Sequence, residues 1–574
     1  MIQETGCLRP VARSKNRPDV SVRSTIWESN MLLAIRVVLL VVSSWSACFA
    51  QDRPVAHWPL RKDAKDVGPN ELHAKTHGGE FVFSATDGVK LDGRDDWLEV
   101  VAHAALKLGT NDFTVSLWLH TSEQLDDVPG DLLSQFDADK RRGWNLSLKS
   151  HSVTASQANT RTLHFGIDQD QMESKWTDHG QVGKGMFVKA LAVFDGQLFA
   201  GTCEQGKDQA GHVYRFGGGE KWIDCGSPAP CNAVSAFAEL DGQLYVGVSK
   251  YRLGGSALKE SENPNLGGRV FRYDGDGRWI DCGQLPETEG IGGFAVFRGK
   301  LHAGSLYKPA GFFRYEGHQK WTTLPLPNGK RVEALCVHNG QLFASSYDEA
   351  HIYRYDGETW TDCGQVGEAA NTQTYSFAIH HGKMYVGTWR TGKVFRYDAD
   401  NQWTDCGRLG EELEVMGMLV HNGGLFAGSL PLAEVFRFDG KDHWLSVGRV
   451  DLTPDVTYRR AWTMAEFQGR LFVGTLPGGR VLSIAAGANV THDRSLSAGW
   501  HHIAAQRAGR ELKLFVDGKR VATSAPFEPS QFDLSTDVPL RIGFGPTDSF
   551  HGRLRDVKLW SRALPDDEVA RDFR

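Results

Sequence analysis

The sequence predicts an all-β protein in which a seven-bladed β-propeller is inserted into a β-sandwich domain. Three observations support this prediction. The 574 residues include 64 Gly, 30 Phe, 17 Trp and 13 Tyr, a composition typical of strands joined by tight turns. A unit containing one tryptophan recurs seven times through the middle of the chain. The segments before and after these units lack the repeat, and together they have the length of one sandwich domain.

The N-terminal region predicts export. Residues 31–50 read MLLAIRVVLLVVSSWSACFA, with an apolar run at 37–42 and small residues before Ala50. This pattern predicts a signal peptide cleaved near Ala50, because the run is too short and too close to Arg36 for a membrane span. A lipid anchor at Cys48 is the alternative. We expect a mature protein without a membrane span that is secreted, periplasmic or located at the cell surface.

The charge of the chain argues against nucleic-acid binding. The formal net charge is −6 at pH 7, which is small for this length, and no run of Lys or Arg follows the predicted cleavage site. A surface that binds nucleic acid needs clustered positive charge to neutralise phosphate groups. We therefore expect no nucleic acid among the partners of this protein.

Each repeat unit predicts four antiparallel strands. In the first unit the apolar strand ALAVFDG is followed by QLFAGT and HVYRFGG, and the tryptophan segment KWIDCG comes last. The Asp-Gly or Asn-Gly joint between the first two strands requires positive φ and closes a hairpin. Four such strands repeated seven times describe a seven-bladed propeller. The repeat tryptophans are Trp176, Trp222, Trp279, Trp321, Trp360, Trp403 and Trp444.

The ends of the repeat region predict how the ring closes. The seventh unit stops after VLSI at 481–484 and has no tryptophan strand of its own. The segment KWTDHG at 175–180 instead precedes the first unit. We predict that this segment is the outer strand of the last blade, because the ring would then have no open sheet edge.

The cysteines of the recurring DCG motif are predicted to be packing residues. Cys225, Cys282, Cys363 and Cys406 fall on the outer strands of different blades. Neighbouring copies would then lie on the order of 19 Å apart, beyond the ~7 Å Cα separation that a disulfide allows. The predicted mature chain has an odd number of cysteines, so at least one thiol is unpaired or intermolecular. A local bridge between Cys225 and Cys231 stays open as an alternative.

The two outer segments carry motifs that resemble a known family. The later segment contains GWHHIAAQRAGRELKLFVDGKRVATS at 499–524 and FHGRLRDVKLWSRALPDDEVA at 550–570. The earlier one contains KLDGRDDWLEV at 90–100 and DFTVSLWLHT at 112–121. Together they resemble the laminin G-like, concanavalin A-like jelly-roll family. The alternation of apolar and polar residues in DFTVSLWLH and ELKLFVDG is typical of half-buried strands.

The resemblance implies a jelly roll assembled from both ends of the chain. The propeller units show a looser likeness to kelch and WD-type repeats and lack the defining residues of either. The predicted organisation is an N-terminal extension and signal peptide at 1–50, a first jelly-roll part at 51–172, the propeller at 173–488 and a second jelly-roll part at 489–574.

One face of the predicted propeller is a candidate ligand-binding surface. The joints between strands two and three, and those that enter each first strand, differ in length and composition while the strands repeat. Variable loops on a regular scaffold are a common location for recognition. Aromatic, basic and acidic residues in these loops are predicted to contact a sugar, a sulfated glycan or a peptide. These residues are Tyr251, Arg252, Tyr307, Lys308, Tyr347, Asp348, Trp389, Arg390, Tyr458 and Arg460.

Metal binding has two weaker signals in the sequence. Some members of the jelly-roll family bind calcium through acidic residues in edge loops, and by position Asp66 and Asp556 are the predicted ligands here. His338, His380 and His421 recur in VHNG or IHHG at the entrance of a hairpin. We interpret these histidines as turn residues, with metal binding as the alternative.

Three functions are compatible with this organisation. The leading hypothesis is an exported, non-catalytic binding protein that recognises carbohydrate or another extracellular ligand through the jelly roll and the propeller loops. The second is a carbohydrate-active hydrolase or lyase with its site in the propeller, for which Asp348, Glu349 and Arg460 are the suspected residues. The third is a cell-surface scaffold that binds other proteins. The sequence contains no nucleophile elbow, phosphate-binding loop or zinc-binding helix.

Overall fold

The computed structural model describes residues 53–307, 309–440 and 442–574, and it confirms the predicted all-β fold. The predicted signal peptide lies outside these residues. Among the residues described, no helix is long and apolar enough to cross a membrane. Strands are numbered β1–β43 in chain order. In the described part of the chain, one α-helix, α1 (Asp566–Asp572), and four short 3₁₀ segments accompany them. The 3₁₀ segments are Ala104–Leu106, Leu253–Ser256, Pro327–Gly329 and Pro529–Gln531.

Two antiparallel sheets built from both ends of the chain form the sandwich. The first contains β1 (Ala56–Trp58), β3 (Val82–Ser84), β4 (Gly88–Asp92), β6 (Phe113–Thr121), β39 (Gly499–Ala508), β40 (Glu511–Val516), β41 (Lys519–Thr523) and β43 (His551–Trp560). The second contains β2 (Lys75–His77), β5 (Trp97–Val100), β7 (Gly130–Asp137), β8 (Arg142–Val153), β9 (Ser156–Met172), β38 (Ala486–His492) and β42 (Leu540–Ile542). Strand β6 from the first part pairs on both sides with strands from the second part, β39 and β43. Neither part can therefore complete the sandwich alone.

Buried aromatic residues fill the space between the two sheets. Phe113 lies 5.6 Å from Trp144 and 6.0 Å from Phe165, measured between ring centroids, and all three side chains are inaccessible to solvent. Large aromatic residues bury more apolar surface than any other side chains, so these rings contribute a large share of the hydrophobic stabilisation of the sandwich.

Seven four-stranded blades form the propeller. The strands of each blade are given from the inner to the outer one. Blade I contains β11 (Phe187–Phe194), β12 (Gln197–Cys203), β13 (Val213–Phe216) and β14 (Trp222–Asp224). Blade II contains β15 (Ala233–Leu240), β16 (Gln243–Ser249), β17 (Arg269–Tyr273) and β18 (Trp279–Gln284). Blade III contains β19 (Ile291–Phe297), β20 (Lys300–Ser305), β21 (Phe312–Gly317) and β22 (Lys320–Thr323). Blade IV contains β23 (Leu335–His338), β24 (Gln341–Ser345), β25 (His351–Tyr355) and β26 (Trp360–Gln365). Blade V contains β27 (Gln373–His380), β28 (Lys383–Trp389), β29 (Lys393–Ala399) and β30 (Gln402–Arg408). Blade VI contains β31 (Glu414–His421), β32 (Gly424–Leu430), β33 (Glu434–Phe438) and β34 (Trp444–Arg449). Blade VII contains β35 (Arg460–Phe467), β36 (Arg470–Leu476), β37 (Arg480–Ile484) and, as its outer strand, β10 (Thr177–Gln181).

The predicted closure of the ring is confirmed. Strand β10 pairs with β37, and Thr177 lies opposite Ser483 in an antiparallel register. The predicted hairpin turns are also present, since Asp195 and Gly196 adopt φ values of 48° and 76° between β11 and β12. The segment that precedes blade I in sequence thus completes blade VII, and no blade is left with three strands.

Six of the seven repeat tryptophans, all except Trp403, donate a hydrogen bond to a neighbouring blade. The indole Nε1 of Trp279 donates a hydrogen bond to the carbonyl of Cys225 in the preceding blade at 3.2 Å, and Trp444 does the same to Cys406 at 2.9 Å. Trp176 donates to Val447 at 3.0 Å, which ties blade VII to blade VI. The seven cysteines that follow residue 52 are free and buried, without a disulfide. The prediction that the DCG cysteines are packing residues is confirmed, and the bridge from Cys225 to Cys231 is absent.

A hairpin of the jelly roll closes one end of the propeller channel. The hairpin formed by β8 and β9 contacts the inner strands of all seven blades, so its tip lies on the axis of the ring. The Ala155 carbonyl accepts a hydrogen bond from the Phe294 amide, and the Ser156 hydroxyl accepts one from the Phe237 amide, each at 3.0 Å. The hairpin therefore occupies the end of the channel that faces the jelly roll, and the variable loops lie at the opposite end.

Candidate functional site

The open end of the channel contains a cavity of about 430 Å³ that we call the funnel. Its lining residues come from all seven blades, and its size is typical of a small-molecule site. The charged lining residues are Lys189, Arg252, Glu333, Glu414 and Arg460, and the aromatic ones are Tyr251, Tyr307, Tyr347, Tyr375, Trp389, Tyr458 and Trp462.

One equivalent position in each blade forms a set that we call the inner ring, and four of its members, Lys189, Glu333, Tyr375 and Trp462, line the funnel. This position is the residue directly before the apolar motif of each first strand, such as Lys189 before ALAVFDG. In β11 the pairing with β12 shifts register between Val188 and Ala190, so Lys189 is the extra residue of a β-bulge. Bulges re-aim side chains, and here they direct the residue into the channel. The inner ring consists of Lys189, Ser235, Gly292, Glu333, Tyr375, Met416 and Trp462.

A second set of channel residues lies two positions before the inner ring. Side chains two residues apart on a strand share a face, so these residues also point along the channel. Gln373, Glu414 and Arg460 of this set line the funnel. Arg460 donates a hydrogen bond to the Ser256 hydroxyl at 2.6 Å, and the Ser256 hydroxyl lies 2.9 Å from the hydroxyl of Tyr251. A loop of blade II is thereby fixed to the first strand of blade VII.

Aromatic rings surround the single inner-ring cation. The Lys189 ammonium group lies 4.5 Å from the centroid of the Tyr251 ring and 5.5 Å from that of Trp462, which are cation–π distances. Tyr375 packs edge-on against Tyr347 at 5.7 Å and lies 5.9 Å from Trp462. The funnel therefore presents aromatic faces above a floor that carries charge.

Burial changes the protonation of three funnel residues. Desolvation lowers the pKa of Lys189 to about 8 and raises the pKa of Glu333 to about 7, while the attraction between these two groups opposes both changes. Burial also raises the pKa of Glu414 to about 8, against the lowering effect of Arg460. The Oε2 atom of Glu333 is buried without a hydrogen-bond partner. Groups that titrate near neutral pH are common at functional sites.

The structure brings together most of the predicted ligand-binding residues. Seven of them line the funnel, namely Tyr251, Arg252, Tyr307, Tyr347, Trp389, Tyr458 and Arg460. Asp348 lies in an adjoining open groove, where it accepts a hydrogen bond from Arg331 at 2.8 Å. Arg390 is exposed and does not line the funnel, and Lys308 lies outside the described residues. Their roles as ligand contacts remain predictions.

The carboxylates suspected in the enzyme hypothesis lie outside the funnel. Glu349 pairs with Lys330 at 2.7 Å in the adjoining groove, and its pKa is lowered by that contact. The funnel instead contains Glu333 and Glu414, which sequence reasoning missed. Alignment of the seven units would have shown both positions as places where residue type varies within an otherwise repeated strand.

The two predicted calcium ligands have other partners. Asp66 accepts hydrogen bonds from the backbone amides of His57 and Gly68 through Oδ1, at 2.8 and 2.7 Å. Asp556 pairs with Arg61 at 2.7 Å, and its pKa is lowered to about 2 by His57 and Arg61 in spite of its burial. Their calcium binding stays a prediction.

Comparison with known proteins supports the jelly-roll resemblance. Residues 462–570, less than a fifth of the chain, match the profile of the family described as the concanavalin A-like lectin/glucanases superfamily. The first part of this match overlaps blade VII, and the rest covers jelly-roll strands. No curated protein sequence matches the chain.

Several solved propeller structures are similar to this chain at low identity. A streptogramin B lyase has 9% identity and a TM-score of 0.43, covering 54% of this chain and 97% of its own. A virginiamycin B lyase from Staphylococcus aureus has 11% identity and a TM-score of 0.43, with coverage of 54% and 99%. The WD40 β-propeller domain of Doa1 has 11% identity and a TM-score of 0.39, with coverage of 55% and 98%. At these scores the likenesses carry no conclusion about function.

Proposed function

We propose that this protein is an exported, non-catalytic binding protein whose funnel recognises the end of a glycan that carries an acidic group. The observation that carries the proposal is the combination, in one cavity, of aromatic faces and buried polar groups. Sugar rings pack their C–H faces on aromatic side chains, while their hydroxyl groups need hydrogen-bonding partners. Trp389 and Tyr458, which are half-buried, offer the aromatic faces, and Glu333, Glu414 and Gln373 offer the polar atoms.

The charge of the funnel favours an acidic sugar. With pKa values of about 7 and 8, Glu333 and Glu414 are largely protonated in mildly acidic solution. Lys189, with a pKa of about 8, keeps its positive charge there. A carboxylate or sulfate group on the ligand would neutralise this excess. The jelly roll adds a second recognition surface in the proposal, in keeping with its resemblance to lectin-like domains.

Binding to arrays of neutral, uronic-acid-containing and sulfated glycans tests the proposal. We expect the full chain to bind acidic glycans, and Lys189→Met to weaken that binding about tenfold or more, because it removes a charge-assisted hydrogen bond. Met416→Leu is the matched control, since it lies at the same inner-ring position of another blade and conserves volume. Glycan binding by Lys189→Met that equals that of Met416→Leu would refute the proposal. A full chain that binds no glycan and captures a protein instead would refute it as well.

A second candidate function is a carbohydrate-active hydrolase or lyase. It is favoured by one observation, the presence of Lys189, Glu333 and Glu414 in one buried cavity with pKa values close to neutral. Incubation of the bound glycan with the protein distinguishes the two functions. New reducing ends or unsaturated products that are lost in Glu333→Gln would support an enzyme, and an unchanged glycan supports binding alone.

A further inference from the structure

A cluster of buried polar residues lies where the jelly roll meets blade IV, away from the funnel. Asp127 precedes β7 and Asp548 precedes β43 in the jelly roll, and His338 ends β23 in the propeller. Their side chains are 0%, 1% and 7% exposed. Burial of two carboxylates and an imidazole is costly unless a partner compensates for the lost hydration.

The three candidate ligand atoms of this cluster lie within 4.8 Å of one another, and two of their separations match those of atoms around a shared ion. The Nδ1 atom of His338 lies 3.4 Å from Oδ1 of Asp127 and 3.3 Å from Oδ2 of Asp548, both longer than a usual N–H···O hydrogen bond. Nδ1 of His338 and Oδ2 of Asp548 are both buried without a hydrogen-bond partner. Ligand atoms about 2.1 Å from a tetrahedral zinc ion are themselves roughly 3.4 Å apart.

Neighbouring groups hold the three side chains in place. Oδ1 of Asp127 accepts hydrogen bonds from the backbone amides of Asn339 and Val128, at 2.8 and 3.0 Å, and its Oδ2 lies 2.9 Å from Nδ1 of His551. Oδ1 of Asp548 accepts a hydrogen bond from the Ser549 amide at 2.7 Å, which leaves Oδ2 free to face His338. Such outer contacts orient the ligands of metal sites.

The other nitrogen of His338 is also supplied with a suitable partner. Its Nε2 atom lies 2.9 Å from Nδ2 of Asn339, whose Oδ1 is buried without a partner. Rotation of the Asn339 side-chain amide by half a turn would place its Oδ1 beside Nε2 of His338. The Nε2–H group would then donate to that oxygen, and the lone pair on Nδ1 of His338 would be available for a metal. Histidines that bind metals usually donate their second ring N–H in this way.

We propose that Asp127, His338 and Asp548 bind one divalent cation of the zinc class at the interface between the jelly roll and the propeller. One imidazole nitrogen and two carboxylate oxygens form a donor set that suits zinc, whereas calcium prefers six to eight oxygen ligands. Asp127, Val337 and Thr547 also line an interface cavity of about 660 Å³. The ion would join the two domains.

The competing arrangement is a metal-free ion triad. Burial lowers the pKa of His338, but Asp548 and Asp127 raise it more, to about 10, so a protonated His338 could neutralise the carboxylates without an ion. Metal analysis distinguishes the two arrangements, because only the zinc site retains a metal ion. Equivalent histidines of other blades lack this setting. His380 takes the same hairpin position in blade V, and its Nε2 lies 3.4 Å from the Gly423 carbonyl oxygen.

Metal analysis of the untagged full chain tests the proposal. After loading with Zn²⁺ and dialysis against metal-free buffer, we expect about one zinc ion per chain, and a chelator should lower the Tm of the protein. His338→Gln and Asp548→Asn should each reduce the retained zinc at least tenfold, whereas His380→Gln should retain it. Wild-type protein that keeps no zinc, and whose Tm responds neither to Zn²⁺ nor to chelator, would establish the metal-free triad and overturn the proposal. This measurement does not depend on the folding of any variant.

Cobalt provides a second readout for the same ligands. Co²⁺ bound by one nitrogen and two carboxylates in a site with low coordination gives visible absorption bands that hexahydrated Co²⁺ does not show at comparable strength. We expect these bands in wild type and His380→Gln, and their loss in His338→Gln. Bands of equal strength in all three proteins would place the ion elsewhere and refute the assignment.

Discussion

Substitution of Glu414 by Gln should stabilise the protein, and the gain should depend on pH. Glu414 is 3% exposed, and burial raises its pKa to about 8 from a usual value near 4.5. The folded state therefore binds the proton more tightly than the unfolded chain. Stability is full below the unfolded pKa, and it falls as the pH rises towards 8, because unfolding releases the proton.

The size of this effect follows from the two pKa values. Between pH 5 and pH 7 the loss of unfolding free energy amounts to roughly 2–3 kcal/mol for one carboxyl group with these values. Glutamine has the shape of the protonated acid and cannot ionise, so the variant avoids the loss. For a propeller of this size, this difference in unfolding free energy between wild type and variant corresponds to roughly 4 °C in Tm.

Thermal unfolding at pH 5 and pH 7 measures the effect. We expect Glu414→Gln to raise the Tm relative to wild type by about 4 °C more at pH 7 than at pH 5. Glu411→Gln is the control, because this nearby side chain is 94% exposed and should show no such difference. A pH-independent change in Tm, or a lower Tm at pH 7, would show that Glu414 is ionised and paired in the folded protein and would refute the reasoning.

Three further predictions concern the ring. Trp279→Phe loses the hydrogen bond to Cys225, whereas Trp403→Phe loses none because the Nε1 of Trp403 has no partner. The first substitution should therefore lower the unfolding free energy by about 1 kcal/mol more than the second, and equal losses in denaturant titrations would contradict this. Reducing agent should leave the Tm unchanged, because the described cysteines are free thiols, and a clear drop on reduction would reveal a disulfide. Deletion of 175–181 removes the outer strand of blade VII and exposes the edge of β37, so the protein should elute as aggregates in gel filtration; a monomer with unchanged Tm would contradict the closure.

Features that repeat were predictable from the sequence. The seven tryptophans and the Asp-Gly and Asn-Gly turns recur at fixed positions, and each recurrence strengthens the interpretation of the others. The closure by β10 followed from counting strands, because the seventh unit lacks a tryptophan segment that an earlier part of the chain supplies. Period-two alternation and family motifs were sufficient to predict the jelly roll.

Features that depend on single positions were not predictable in the same way. Lys189 and Trp462 enter the funnel through bulges, and a bulge inserts a residue that strict alternation would place on the other face. The hairpin of β8 and β9 closes the channel through contacts between segments distant in sequence. The recurrence of His338 at a hairpin entrance indicates a turn residue, and the sequence does not reveal its two carboxylate neighbours, which lie more than two hundred residues away along the chain.

Hydrogen–deuterium exchange with a bound acidic glycan tests the central claim, that the funnel is the recognition site, most directly. The loops at 251–257 and 452–459 contribute to the wall of the funnel through Tyr251, Arg252 and Tyr458. We predict that the glycan slows exchange of their backbone amides, and that Lys189→Met abolishes this protection. Protection confined to jelly-roll loops, with unchanged exchange around the funnel, would contradict the claim.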